Sequence, residues 1–434
     1  MGGTTRLGVV LETPVEQEEH DPKAGRATRG YSSRVSDTAS QLRVSHVLGW
    51  AAFLACSWTW CIGMFLPVIL LRDFGGASFW VFAVPNVVGA ALMGVLLARP
   101  GASETFVARH GRACWLFSLV TLTFQWFFLF WMIVGLTGNA SRFVGIPAIA
   151  VILLAGRLTA RRTWWTRTFA LVVYGASLVL GLLWLSGRPA EPIIIPRLPE
   201  TDLVWLAPVI LFGFAFCPYL DLTFHHARQK LPGRAGSVAF ILGFGVLFFA
   251  AIMLTRAYAP GLLIQSSTAG THVHPGLLAL TLLAHVGIQL MYTVMVHKPW
   301  VDAEPSLAGP RTPANAAFLG LIFATAVAVI SSRLPDYAGL SASEVVYRGF
   351  MSFYGLVFPA YVWLCVLGQA SLTRRAVQVF VAAVIVAAPM YWMGFIERQT
   401  WWLAPGLGVV LLARFFIPRT NRSGNPGPTP ASAT

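Results

Sequence analysis

The sequence predicts an all-α, polytopic membrane protein with about twelve transmembrane helices. Of its 434 residues, 56% are hydrophobic and only 11% are charged. The mean hydropathy of +0.68 lies well above the balance of a soluble domain. The apolar residues fall in runs of roughly 20, the length that an α-helix needs to cross a bilayer. Two of these runs carry Gly and Pro in their middle, which predicts broken helices.

Polar tails flank the hydrophobic region. Residues 1–45 carry Arg, Ser and Thr without an apolar core, which predicts a disordered tail and no cleaved signal peptide. Residues 418–434 are rich in Pro, Ser, Thr and Asn and are predicted to be a second disordered tail. Between the tails, the predicted spans are approximately 46–72, 77–98, 113–136, 143–156, 164–186, 203–226, 236–258, 275–297, 315–332, 346–367, 375–396 and 400–417.

The distribution of basic residues predicts the orientation of these spans. With an even number of spans, the side that holds both tails carries 23 Lys and Arg residues, and the opposite side carries 8. The excess places both termini in the cytoplasm. The net charge of +14 lies in the tails and short loops between apolar runs, so no nucleic-acid partner is expected. We expect a multi-pass protein of the inner or plasma membrane, whose partners are the lipid bilayer and a small-molecule substrate.

The first span, 46–72, is interrupted by Gly63 and Pro67. Proline has no N–H and its ring clashes with the preceding turn, so a backbone carbonyl loses its helical partner. In hydrocarbon, a freed carbonyl is tolerated only where protein or a water-filled cavity covers it. The interruption therefore predicts a packed or hydrated site inside the membrane.

The sixth span, 203–226, has the same kind of interruption at Gly213 and Pro218, followed by Asp221. An ionised Asp at this depth is costly, and such residues usually mark a functional pathway. If Pro218 opens a second half-helix, Asp221 falls in its first turn, where the positive end of the helix dipole stabilises a carboxylate. The carbonyl of Phe214 is the one that Pro218 leaves without a partner.

The two interrupted spans begin two sets of five spans, 46–186 and 203–367, and 368–417 holds two additional helices. Because five is odd, the second set runs inverted relative to the first. Paired Gly/Pro-interrupted segments at corresponding positions are the best sequence indication of a transporter's binding site. The third span carries Gln125, and the eighth carries His285 and Gln289 on one helix face.

This plan, with WCIGMFLPVILLRDFGG in the first span, VFAVPNVVGAALMG in the second and FGFAFCPYLDLTFHHARQ in the sixth, resembles a known architecture. It is similar to the LeuT-type fold of the amino-acid/polyamine/organocation transporter superfamily, which includes the sodium:solute symporters. The resemblance covers roughly 46–417 and is architectural. It implies a substrate between the first and sixth helices, near Trp60, Cys61, Gly63, Phe214, Phe216, Cys217 and Tyr219.

The eighth span departs from the sodium-coupled members of that superfamily. Those members usually place small residues and adjacent hydroxyls there, whereas this span has only Thr281 and Thr293, well separated. Its His285 favours proton coupling, together with Asp221, since histidine changes charge near physiological pH. No cofactor is expected, and the coupling ion, H⁺ or Na⁺, stays a hypothesis.

Several residues also have plain structural interpretations. An Asn at the position of Asn86 more often forms an interhelical hydrogen bond than binds a ligand. For Gln125, a packing role and a functional role are equally compatible with the sequence. Glu344 and Arg348, one turn apart, are interpreted as a local ion pair. No metal site is expected, because His272 and His274 lie in a loop. The cysteines are interpreted as small buried hydrophobes, and they are Cys56, Cys61, Cys114, Cys217 and Cys365.

An enzyme and a scaffold are the rival interpretations. Arg72 and Asp73 occupy the external loop in which polyprenol-dependent glycosyltransferases carry acidic residues, but that loop is short. His285 is the one candidate for the intramembrane histidine of an acyltransferase. The sequence has no G-x-S-x-G, H-E-x-x-H or phosphate-binding glycine loop. The third alternative is a non-transporting scaffold of the same fold.

We therefore predict a secondary transporter, not an enzyme, that moves a small organic solute by alternating access; an amino acid or amine is the first hypothesis. The backbone carbonyls near Gly63 and Phe214 are predicted to bind a cation or an ammonium group. The N-termini of the half-helices are predicted to bind an anionic group. Asp221, His285 and Gln289 are the predicted coupling residues, and Gln125 lines the cavity. The predicted aromatic lining is Trp60, Phe65, Phe216 and Tyr219.

Overall fold

A computed structural model of the chain describes residues 29–59, 61–137, 163–186, 195–265, 275–302, 314–369 and 371–418. Within these residues every regular element is helical, and the only extended pairing is an isolated bridge between Tyr337 and Leu340. The chain divides into two compact units, Met1–His46 and Val47–Thr434. The described part of the first unit, 29–46, is helical, and no Pro or Gly follows Gly30 within it. The rest of the predicted disordered tail lies outside the described residues.

The described helices follow one another along the chain. They are α1 Arg29–Trp58, α2 Cys61–Phe74, α3 Ser78–Leu96, α4 Ala102–Thr137, α5 Thr163–Ser186, α6 Leu203–Phe216, α7 Leu222–Lys230, α8 233–265, α9 Pro275–Asp302, α10 Ala314–Ser331, α11 Ala342–Val366, α12 Arg374–Phe395 and α13 Leu403–Leu412. Helices α8 and α11 contain π-helical turns, at Gly243–Phe248 in α8 and at Phe353–Val357 and Val362–Val366 in α11.

Eight helices in the described residues are long and apolar enough to cross a membrane, and a ninth crossing results if the bent pair α1–α2 counts as one span. Ala316–Ser331 and Thr400–Phe416 are shorter apolar helices. The prediction of an all-α protein with membrane-length helices is confirmed. The predicted fourth span, 143–156, lies outside the described residues.

The surfaces of these helices are apolar on their outward faces. On α3 the exposed stripe is Trp80, Val84, Val88 and Leu92, which are 46–53% exposed. These residues are four apart and therefore share one face of the helix. A contiguous apolar stripe in contact with water is an aggregation liability, whereas a lipid-facing helix requires one.

Helix α4 lies at the centre of the core and packs against both α9 and α10. Its Phe117, Phe124 and Phe127 are completely buried. The ring of Phe124 stacks on Phe350 of α11, with the ring centroids 4.7 Å apart. Shape-matched packing of this kind is what holds helices together in lipid, where apolar burial supplies no net driving force.

Glycines bring the backbones of several helices close together. A Cβ atom on Gly89 of α3 would lie 2.0 Å from the carbonyl oxygen of Phe214 in α6. A Cβ atom on Gly94 would lie 2.1 Å from the ring of Phe240 in α8. Small residues at helix interfaces permit this approach. As a result α3 packs along both α6 and α8. Helix α2 also packs along α8.

Arg228, near the end of α7, joins three parts of the chain. Its guanidinium donates to the carbonyl oxygens of Leu97 at 3.1 Å, Ala98 at 3.0 Å and Gly233 at 2.9 Å. The side chain is buried, and these carbonyls lie at the end of α3 and the start of α8. This arrangement ties the second half of the sixth span to both neighbouring helices.

Candidate functional site at the two helix breaks

The first span breaks between Trp58 and Cys61, where α1 and α2 meet at 56°. The sequence predicted the interruption at Gly63 and Pro67, but the structure places both inside α2. The side-chain hydroxyl of Thr59 donates to the carbonyl of Ala55 at 2.8 Å, which ends α1. Trp60, a predicted substrate-binding residue, lies outside the described residues.

Helix α2 continues through Pro67 because hydroxyl groups from α8 replace the missing backbone donor. Pro67 has no N–H for the carbonyl of Gly63, and the hydroxyl of Thr255 donates to that oxygen at 2.9 Å. The hydroxyl of Tyr258 donates to the carbonyl of Met64 at 2.5 Å. The predicted cation-binding carbonyl of Gly63 therefore has a donor in this structure.

Cys61, the first residue of α2, is bonded through both of its backbone polar groups. The side-chain oxygen of Gln125 accepts a hydrogen bond from its N–H at 2.9 Å, and the hydroxyl of Tyr347 donates to its carbonyl at 3.0 Å. Gln125 is fully buried, and its side-chain nitrogen has no hydrogen-bond partner in the described part of the chain. It acts as a cap on the start of α2, supplied by a neighbouring helix.

The sixth span breaks in two steps. Helix α6 ends at Phe216, a tight turn of 3₁₀ helix covers Cys217–Leu220, and α7 begins at Leu222. Pro218 was predicted to open the second half-helix, but it lies in the turn instead. Asp221 is the residue that opens α7, with an extended backbone (φ −79°, ψ 111°).

Asp221 is the N-cap of α7. Its Oδ1 accepts hydrogen bonds from the backbone N–H of Thr223 at 2.8 Å and from the hydroxyl of Thr223 at 2.7 Å. This is the geometry by which Asp satisfies the first N–H groups of a helix. The side chain is completely buried, and Oδ2 has no partner among the described residues. One carboxylate oxygen is therefore structural and the other is unsatisfied.

The carbonyl that Pro218 frees is covered by protein. Gly89 of α3 lies directly against the oxygen of Phe214, at a distance that leaves no room for a side chain. The thiol of Cys217 donates to the carbonyl of Tyr354 at 3.0 Å. The break is thus enclosed by α3 on one side and α11 on the other.

The two breaks face a common small cavity of about 250 Å³, hereafter the break cavity. The residues that line it are Trp58, Ile62, Gly63, Asn86, Phe214, Cys217 and Tyr354. Of the predicted substrate-binding residues, the structure brings together Gly63, Phe214 and Cys217. The indole N–H of Trp58 donates to Asn86 at 2.6 Å, which is the interhelical hydrogen bond predicted for Asn86. Sequence reasoning missed Trp58 and Tyr354 as lining residues.

The predicted aromatic lining does not gather at the break cavity. Phe65 packs against Trp131, with ring centroids 5.0 Å apart. Phe216 packs against Phe212 at 5.1 Å. Tyr219 lies 6.4 Å from the ring of Phe106. Phe65, Phe216 and Tyr219 form packing contacts around the breaks.

His285 lies at a different cavity, hereafter the side cavity, of about 290 Å³ between α5, α8 and α9, and Gln289 contacts one of the residues that line it. His285 lines it together with Ser177 and Tyr258. Gln289 donates from its side-chain nitrogen to the hydroxyl of Ser177 at 2.9 Å. The structure therefore places these two predicted coupling residues apart from the break cavity. Tyr258 joins the two regions, because its hydroxyl also bonds Met64.

A third cavity, hereafter the large cavity, is larger than the other two: it comprises about 790 Å³ of space between atoms, including open solvent, and is partly open to the surface. It shares Phe214 and Tyr354 with the break cavity. Its walls are mostly Leu, Ile, Val, Met and Phe from α2, α6 and α11, and its polar lining residues are Tyr347, Arg348, Tyr354, Arg398 and Thr400. No local sequence pattern indicated this cavity, because its lining comes from separate parts of the chain.

Four charged residues form a cluster beside the large cavity, hereafter the ion-pair cluster: Arg72, Asp73, Glu344 and Arg348. Arg72 contacts Glu344 at 2.5 Å and Asp73 at 3.0 Å. Arg348 contacts Glu344 at 2.8 Å and also bonds Asp73. The predicted local pair of Glu344 and Arg348 is present, and it belongs to this larger cluster, which ties the end of α2 to the start of α11.

Other expectations concern metals and thiols. In the described part of the chain, no group of three or more His, Cys, Asp and Glu side chains is arranged to hold a metal ion. All five cysteines are buried and free, as the sequence predicted. His272 and His274 lie outside the described residues.

No protein-family model matches the chain, and no curated protein matches it.

Proposed function

We propose that this protein is a secondary transporter that moves a small organic solute across a cell membrane by alternating access. The observation that carries the proposal is the convergence of two broken spans on one buried cavity, which adjoins a larger cavity open to the surface. Broken helices that meet within the bilayer are the usual place for a transported solute. In this proposal the solute passes from the large cavity to the break cavity.

The packing of helices supports an inverted repeat. In an inverted repeat, the first span corresponds to the sixth and the second span to the seventh. A contact between the first and seventh spans then has a counterpart in a contact between the sixth and second spans. The α2–α8 and α3–α6 contacts are such a pair. This is the pattern that the resemblance to the LeuT-type fold implies, and we propose that architecture for 46–417.

Chain direction supports twelve spans. The backbone N–H of Arg197 donates to the carbonyl of Arg72 at 3.2 Å, so the end of the first span and the loop before the sixth share one end of the helices. An even number of crossings must separate them. Helices α3, α4 and α5 supply three, and the predicted span 143–156 supplies the fourth. Both termini are then cytoplasmic by the charge distribution.

We assign the coupling role to Asp221. It combines a buried, half-satisfied carboxylate with a position at the hinge between the two half-helices. A buried polar group without a partner is costly, and binding or loss of a proton at Oδ2 changes that cost. His285, at the side cavity, and Gln289, beside it, are assigned to a separate step through Tyr258. The coupling ion is proposed to be a proton, with Na⁺ as the alternative.

The enzyme alternative receives less support from the geometry. The carboxylate of Asp73, the candidate acid of a glycosyltransferase, is bonded to two arginines. A lipid-linked donor nevertheless belongs in the binding screen. That screen measures thermal stability in detergent with amino acids, amines, carboxylates, nucleobases, sugars and lipid-linked sugars, each with and without sodium at two pH values. If only a lipid-linked sugar stabilises the protein, the transporter proposal is rejected in favour of the enzyme.

The direct test is uptake into proteoliposomes of the solutes found in that screen. We expect Asp221→Asn to abolish uptake driven by an ion gradient while leaving the protein folded, since Asn also caps helices well. Asp336→Asn, in an exposed loop, is the matched control and should transport normally. Normal gradient-driven uptake by the Asp221→Asn protein would remove Asp221 from the mechanism. Absence of uptake by the wild-type protein for every stabilising solute would reject the transporter.

A further inference from the structure

The charged side chains that line the large cavity are both arginines. They are Arg348 and Arg398, and no Asp or Glu is among the lining residues. The charge of Arg348 is met by Glu344 and Asp73. Arg398 donates to the carbonyl of Ala338 at 2.5 Å, and in the part of the chain that the structure describes no carboxylate forms an ion pair with it. Arg398 therefore adds a positive charge, without an ion-pair partner among the described residues, to a mostly apolar space.

The surroundings of Arg398 carry further charge of both signs. The pKa of Arg197 is lowered, first by partial burial and then by the positive charges of Arg72 and Arg398. The carboxylates of Asp73 and Glu344 raise the same pKa. Asp202 lies at the edge, where its carboxylate accepts from the hydroxyl of Thr400 at 2.8 Å. The nearby acids thus have partners of their own, and the charge that faces the cavity is positive.

The walls of the cavity indicate an apolar ligand. They are mostly apolar and carry a few polar groups, which is the usual composition of a small-molecule site. A carboxylate can bind a guanidinium through two parallel hydrogen bonds. An ammonium group in the same position meets like charge in a medium that screens poorly.

We propose that the large cavity takes organic monocarboxylates, whose apolar body fills the space between α2, α6 and α11 and whose carboxylate binds Arg398. Amines without a carboxylate are excluded from it, and apolar amino acids are admitted through their carboxylate. This assignment rests on the proposed transport function and names the substrate class of the same site.

The test measures the charge preference of the cavity without requiring transport. Met351 lines the cavity and is half-buried, so Met351→Cys places a thiol there, while the five native cysteines are buried. The purified full-length protein is labelled with an anionic and, separately, with a cationic methanethiosulfonate reagent. The labelling rate of each reagent is divided by its rate of reaction with a small free thiol in solution, which removes the intrinsic difference in reactivity between the two reagents. We expect the anionic reagent to be favoured on the order of tenfold.

The same preference should depend on Arg398 and not on charge elsewhere. Arg398→Gln in the Met351→Cys background should reduce the preference to about the free-thiol ratio. Arg333→Gln, which removes an exposed arginine that does not line the cavity, should leave it unchanged. Equal or cationic preference in the Met351→Cys protein, or no labelling at all, would overturn the proposal. So would a preference that survives Arg398→Gln.

Protection by ligands completes the test. We expect 3-phenylpropionate to slow the labelling of the Met351→Cys protein, and 3-phenylpropylamine, which has the same apolar body, to leave it unchanged. Protection by the amine alone, or by neither compound, would reject the carboxylate assignment. Uptake into proteoliposomes tests transport separately. Charge-selective labelling and protection without uptake would retain the binding site and reject the transporter.

Discussion

Gly89 lies where α3 meets the broken part of the sixth span. A Cβ atom there would lie 2.0 Å from the carbonyl oxygen of Phe214. That oxygen has lost its helical donor to Pro218, so α3 covers a polar atom that would otherwise face lipid or an empty space. The absence of a side chain at position 89 is thus required by the sixth span, not by the conformation of α3.

We predict that Gly89→Ala destabilises the protein by about 1–3 kcal/mol, because the added methyl group forces α3 and α6 apart. Gly175→Ala in α5 is the matched control. A Cβ atom at Gly175 meets nothing within 4 Å, and Ala is the better helix former. Thermal or urea unfolding in detergent measures both changes. Equal stability of the Gly89→Ala and wild-type proteins would mean that α3 does not hold the break closed.

Residue-level predictions from the sequence succeeded where the chemistry was local. Pro218 necessarily leaves the Phe214 carbonyl without its helical partner. The second half-helix was also predictable, but Asp221 was placed in its first turn, whereas it is the N-cap. The sequence did not indicate what covers that carbonyl, because Gly89 is distant in sequence. Similarly, the interhelical role of Asn86 was predictable, but its partner Trp58 was not.

At the scale of helices, the first span shows how tertiary contacts override a local signal. Pro67 indicated a break near Gly63, yet α2 runs through both. The hydroxyl of Thr255, on α8, supplies the hydrogen bond that Pro67 cannot. The true break, between Trp58 and Cys61, has no Gly or Pro in its sequence. A break was therefore predictable in this span, but its position depended on a residue in another helix.

We predict that the cost of Thr255→Val depends on Pro67. Alone, Thr255→Val leaves the buried Gly63 carbonyl without a donor and should cost about 1–3 kcal/mol. In a Pro67→Ala background the backbone N–H of residue 67 bonds that carbonyl, so the same substitution should cost much less. A double-mutant cycle from unfolding in detergent gives the interaction energy. Additive effects would show that Thr255 does not substitute for the missing donor.

At the scale of the molecule, the ion-pair cluster joins the first span to the tenth. Arg72 and Asp73 end α2, while Glu344 and Arg348 lie in the first turns of α11. Arg348 also donates to the carbonyl of Phe395 at the end of α12 at 2.9 Å. Three helices thus meet at one end beside the large cavity. The sequence predicted the i,i+4 pair of this cluster, but not the contacts between α2 and α11, which cross about 270 residues.

We predict that Arg72→Gln destabilises the protein by about 1.5–3 kcal/mol, the value of hydrogen bonds to charged groups. The loss leaves two carboxylates to share Arg348. Adding Glu344→Gln removes the excess negative charge, so the double variant should lose less than the sum of the single variants. Arg333→Gln, at an exposed position, should change stability by no more than about 0.5 kcal/mol. Additive losses would contradict a coupled cluster.

The three hydrogen bonds of Arg228 determine which helices can move as one body. Each such bond from a charged donor contributes about 1.5–3 kcal/mol, and separating α7 from its neighbours gives up all three. A rotation that keeps them carries the end of α3 and the start of α8 along with α7. In the proposed alternating access, the moving part of the sixth span would therefore be a three-helix unit, and the hinge about which it turns would lie at Asp221.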